Sequence, residues 1–317
     1  MPGGTIGSMT QIPTASIEEA FMNQVGPTLQ NLRDLADVIS ATPERHSHLP
    51  GKACKALHEI DEGKKYIGVT DWEDPVAQAH EHGGAIVAVV CDYARCFADM
   101  FTLNHQSMYG HRVVARCLLE AGTVAQWLNQ PNITTEERVK RAACERLYSA
   151  YELKRLDMTD DDPDKRVAEE EAIVTGLGWR FSNNERDGKP KIGDTRRPSV
   201  EKSMSSLLSD RKASETGHCL WCLYSAISHS TWYGVRQGFI EDPGAPDLVG
   251  RSLAGMGVIS HDILSEAWCM LIAVRRVAET RFELMGWDDG YWKQQRDRFE
   301  RYTVELGVGL AKAKGLG

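Results

Sequence analysis

The sequence predicts an all-α protein, built as an antiparallel multi-helix bundle. Three observations carry this expectation. Apolar residues recur at helical spacing along most of the chain, capping residues and prolines mark starts and stops, and no period-two alternation is long enough to trust as a strand. The helices so read are long and their connections short, which favours antiparallel neighbours. No internal repeat is found, and residues 16–317 read as a single helical domain behind a disordered leader at 1–15.

Ile17 to Ser40 sets Phe21, Val25, Leu29, Leu32, Leu35 and Ile39 on one stripe, with Ser16 as N-cap. Gly26-Pro27 is expected to kink or split that helix. Pro43 to Pro50 reads as a loop in which His46 and His48 are solvated, and Lys52 to Glu62 as a short helix. Asp74-Pro75 opens a long helix, because aspartate suits the N-cap and proline the first turn. Val89, Val90, Tyr93, Phe97 and Phe101 give it the wide apolar face of a central element, with His80-Glu81-His82 at an exposed beginning.

Ser107 to Gln130 follows, with Arg112, Arg116 and Glu120 on one face among apolar residues, and Pro131-Asn132 ends it. Thr134 or Thr135 caps a helix from Glu136 to Met158 that carries Arg138, Arg141 and Arg146. The aspartate-rich run 157–164 resembles the magnesium-diphosphate motif of terpene synthases. The companion motif fails at Cys269, where glutamate is required, and Asp162-Pro163 reads directly as a helix start. Lys165 to Gly178 is a further helix. Residues 181–198 form the longest polar stretch and are expected to be a flexible insertion, with Lys189, Lys191, Arg196 and Arg197 its basic cluster. Val200 to Asp210 is a short helix, Pro243 and Pro246 bracket a loop, and long helices cover Leu253 to Leu284 and Tyr291 to Leu310.

Composition bounds the partners. Net charge is −8 over 317 residues, so a general nucleic-acid binder, which needs basic surface to neutralise phosphates, is not expected. No stretch reaches the ~18 uninterrupted apolar residues of a membrane span. Eight cysteines are scattered through apolar helical context, and no secretory signal opens the chain, so a reducing cytoplasm without disulfides is the expected setting. The composition also leaves room for a homo-oligomer.

The chemistry is expected in 218–234. As a helix, this stretch puts His218, Cys222, Ser225 and His229 on one stripe, at spacings of four, three and four. The first reading is a small-molecule or nucleotide site between the Arg116 helix and the His229 helix. Arg116 would bind an anion, Glu120 would orient His229, and His229 would act as base, with Ser225 beside it as a weaker nucleophile candidate. The second is a haem- or transition-metal-dependent oxidative enzyme. His218, Cys222 and His229 would lie at the metal, and His105, His111 or His261 would complete the set. The third is a noncatalytic interaction protein whose polar cluster is structural.

Two segments also carry a resemblance. Arg116-Cys-Leu-Leu-Glu120 running to Trp127-Leu-Asn-Gln-Pro131, followed by Arg138 and Arg141, is one; Tyr224-Ser-Ala-Ile-Ser-His229-Ser-Thr-Trp232 is the other. Together they resemble an uncharacterised family of all-helical actinobacterial proteins, which implies the helical fold and no particular activity. A remoter likeness to HEPN ribonucleases does not extend to their motif. There histidine follows arginine by four to six residues, whereas Arg95–His105 and Arg251–His261 here each have nine between them.

Overall fold

The computed structural model describes residues 14–101, 109–156, 162–183, 189–208, 211–231, 239–246, 252–256 and 260–313. Ten α-helices dominate the described residues, and the all-α class is what they show. Helix α1 (Thr14–Arg45) is not split at Gly26-Pro27. Its Val25, Leu29, Leu32, Leu35 and Ile39 are all buried. At roughly 1.5–3 kcal/mol per large apolar side chain, their burial outweighs the ~3 kcal/mol that an internal proline costs. Helix α2 (Lys55–Gly63) starts at Cys54, whose Sγ accepts from Leu57 N at 3.4 Å. Helix α3 (Pro75–Asp99) starts where Asp74 caps Ala77 N at 3.0 Å.

Helices α4 (Gly110–Asn129), α5 (Thr135–Leu156) and α6 (Pro163–Gly176) follow. Thr134 Oγ1 caps α5 through Glu137 N, and Asp162 caps α6 through the Asp164 and Lys165 amides. Then come α7 (Val200–Leu208), α8 (Arg211–Ser228), α9 (Ser260–Met285) and α10 (Gly290–Ala313). Among the described residues, no helix is long and apolar enough to cross a membrane.

Two apolar cores share α3. The larger gathers α1, α3, α4 and α9 around Leu29, Phe97, Leu118, Val274 and Phe282, with Tyr224 of α8 inside it. The smaller joins Val76 and Ala79 of α3 to Val139, Ala142 and Leu147 of α5 and Val174 of α6. Helix α9 packs against α1, α3, α4, α7, α8 and α10, which makes it the central strut.

Two segments depart from the sequence expectation. The stretch expected as a flexible insertion carries a three-stranded antiparallel sheet, β1 (Phe181–Asn183), β2 (Pro190–Ile192) and β3 (Thr195–Arg196). Ile192 and Thr195 are buried against α5, where Thr195 Oγ1 donates to Glu137 Oε2 at 2.5 Å. Gly193, at φ +57°, supplies the left-handed residue of the tight turn. The loop expected around Pro243 is part of a hairpin, β4 (Phe239–Pro246) with β5 (Ser252–Met256). Leu253 to Met256, expected to open the long C-terminal helix, pair instead with 239–242. Gly255 lowers helix propensity there, and α9 begins at Ser260. The expected leader falls almost wholly on residues outside those described, as do His105 and Arg251.

Candidate functional site

Helices α4 and α8 pack together, as the expected site requires. On α4, Arg116 Nε donates to Glu120 Oε1 at 2.7 Å. The same oxygen accepts from Trp221 Nε1 of α8 at 3.3 Å. Glu120 therefore reaches across the interface, but to an indole rather than to an imidazole. This trio is half-exposed, and an i, i+4 pair in that setting contributes a few tenths of a kcal/mol. His229 lies just past the end of α8 and is exposed, with its backbone N–H on Ser225 O at 3.0 Å. Ser225 is half-buried. His218 Nε2 and Cys222 Sγ stand 3.7 Å apart, one turn of helix, and Cys222 is exposed. The described residues contain no group of three or more His, Cys, Asp or Glu side chains that could hold a metal ion.

One turn away, the same two helices bury a different set. Arg112 lies four residues before Arg116, and Tyr224 directly before Ser225; both point into the core. Helix α9 adds Glu266, which is 1% exposed, and α4 adds His111, which is fully buried. Arg112 Nε donates to Glu266 Oε1 at 3.3 Å, and His111 Nε2 stands 3.4 Å from Glu266 Oε2. The rings of Phe101 and Phe97 flank His111 at 5.1 and 6.2 Å. Three polar atoms here have no hydrogen bond of good geometry: Arg112 Nη1, Tyr224 Oη and Glu266 Oε2.

Burial dominates the electrostatics. It pushes the Glu266 carboxyl up to about 7, with Asp262 adding to the rise and Arg112 opposing it. The Tyr224 hydroxyl is driven well above its usual range by burial and then by Glu266. The Cys269 thiol beneath them is pushed to about 12 by burial. At neutral pH this is a carboxyl balanced between its two protonation states, beside a neutral phenol and a permanent cation.

No family model, curated protein or solved structure matches the chain.

The site thus rests on its own geometry. The expected helix pair is in contact, but the side chains buried with α9 are Arg112, Tyr224 and Glu266. A signal for Glu266 was present in the sequence. With Ile263, Ala267 and Met270 it occupies the buried stripe of α9, where a carboxylate is out of place unless it has a partner.

Proposed function

We propose that the chain binds a small polar molecule between α4, α8 and α9, and that Glu266 exchanges a proton with it. The reading is carried by one observation. Three helices direct a guanidinium, a phenol and a carboxyl into one buried place, where Tyr224 and His111 lean on Glu266 and yet Arg112 Nη1, Tyr224 Oη and Glu266 Oε2 make no hydrogen bond of good geometry. Each such atom costs about 1–3 kcal/mol, and folded proteins rarely leave several together unless the place has a use. The ligand takes up these groups. Arg112 holds an electron-rich oxygen, Tyr224 donates to a second acceptor, and Glu266 gives or takes a proton. A carboxyl near 7 suits that task at neutral pH, when the driving force for transfer and the supply of the right form are both adequate. The base expected at His229 is therefore moved to Glu266, since His229 is exposed at the helix end and Glu266 is enclosed by all three helices.

The test is a thermal-shift screen with carboxylates, phosphate esters, nucleotides and amines on the native chain and on Arg112→Met and Glu266→Gln. A class that raises the melting temperature of the native chain is expected to lose its effect in both folded variants. A stabilising class that acts equally on both variants would place binding elsewhere and defeat the proposal.

A further inference from the structure

A second buried polar cluster lies on the other side of α3 and takes no part in the site above. Glu59 of α2 is fully buried. Arg138 of α5 meets it with two bonds, from Nε to Oε2 and from Nη2 to Oε1, the latter at 3.1 Å. The rest of Arg138 is also used. Nη1 donates to Leu128 O at 2.6 Å and Nη2 to Gln130 O at 2.8 Å, so this guanidinium also takes up the carbonyl end of α4. Lys55 Nζ stands 3.7 Å from Glu59 Oε1. The one buried carboxylate is thereby satisfied.

Arg281 of α9 is left over. It is 7% exposed, and among the described residues no carboxylate pairs with it. Its Nη1 donates to Asn129 Oδ1 at 3.0 Å, and its guanidinium lies 5.6 Å from the centre of the Trp287 ring. A guanidinium has five N–H donors, and this one bonds a single neutral oxygen. Burial and Arg138 bring even this arginine down to about 10. His80 of α3 shares the space and is 5% exposed. Its Nε2 lies 3.2 Å from Glu59 Oε2, off the line of a good hydrogen bond, and its buried Nδ1 has no partner. Between these groups α3 has no side chains. A Cβ on Gly83 would sit 2.7 Å from Asn129 Oδ1, and one on Gly84 would sit 3.1 Å from Arg281 Nη2. Two cations, one anion and an unpartnered imidazole nitrogen are enclosed together, and a buried unpaired charge is expensive.

We propose that Arg281, His80 and the Gly83-Gly84 backbone form a binding site for one small monovalent anion, of the size of chloride or formate. The anion supplies the missing negative charge and accepts from the Arg281 guanidinium; it takes an Nδ1–H from His80 only as that ring gains its second proton, since Nε2–H faces Glu59. The glycine pair lets Asn129 and the Arg281 guanidinium lie directly on the α3 backbone. This site shares no residue with the Glu266 cluster.

The probe is chloride or formate, added to the full chain against gluconate at constant ionic strength. The native chain is expected to show a saturable rise in melting temperature of about 3 °C or more. Arg281→Met is expected to melt above the native chain in gluconate and to lose the response. Gly84→Ala, which keeps the charge but presses its Cβ on Arg281 Nη2 and shifts the guanidinium, is expected to weaken or lose the response too. Broadening of the ³⁵Cl resonance reads binding without reference to stability, and covers the case in which Arg281→Met fails to fold. Equal anion responses in the native chain and Gly84→Ala would overturn the proposal, as would the absence of both a melting shift and ³⁵Cl broadening in the native chain.

Discussion

Replacing Glu266 by Gln tests the buried carboxyl directly. Burial raises its titration from an ordinary 4.5 to about 7, so between those values the folded chain holds a proton that the unfolded chain has released. Stability from this group is complete below about pH 4.5 and is lost as pH rises through 7. A shift of that size corresponds to about 3 kcal/mol. Glutamine is neutral throughout and has nearly the same shape. The two proteins should therefore be within about 1 kcal/mol of each other at pH 5. By pH 8.5 the glutamine variant should be more stable by about 3 kcal/mol. Denaturant unfolding followed by circular dichroism at half-unit steps of pH gives both curves. Parallel curves, or a glutamine variant that is the less stable at pH 8.5, would mean that Glu266 is an ordinary ionised partner of Arg112, and the reasoning would fail.

Tyr224→Phe removes a buried hydroxyl that leans on Glu266 without a bond of good geometry, so it should melt at or slightly above the native temperature, with a gain of less than about 1 kcal/mol. A loss of more than 2 kcal/mol would show that the hydroxyl is bonded. Glu59→Gln has the opposite sign: it leaves Arg138 buried without its anion and should cost about 3–5 kcal/mol by denaturant unfolding. Brief thiol alkylation at pH 8 followed by peptide mass spectrometry should mark the exposed Cys96, Cys219 and Cys222. Cys91, Cys144 and Cys269, which burial holds near 12, should stay unmodified until the protein is denatured.

Helix starts were the most legible feature of the sequence, because a cap is a local event. Asp74-Pro75 and Asp162-Pro163 each begin a helix where expected, through bonds to amides two or three residues on. The contact between α4 and α8 was legible as a requirement, but not which side chains it buries. Arg112 and Arg116 have the same spacing and similar apolar neighbours, and tertiary packing alone decides that the first is buried and the second half-exposed. His80 looked exposed for the same reason. Glu59, twenty-one residues earlier, covers it, and nothing local announces that. The sheet at 181–196 did have a signal in Gly193-Asp194, a two-residue hairpin turn, but its strands are too short to show alternation.

The position of α9 has a mechanical consequence. Glu266 and Arg281 are fifteen residues apart on this one helix, about 22 Å along its axis. Each faces a different set of neighbours, the first Arg112 and Tyr224, the second Asn129 and Trp287. A helix of this length moves as a rod, so a slide of its axis that eases one end displaces the other. Filling either place would then alter affinity at the other by the same factor in both directions, and the sign of that coupling would show whether the two occupants pull the rod together or apart.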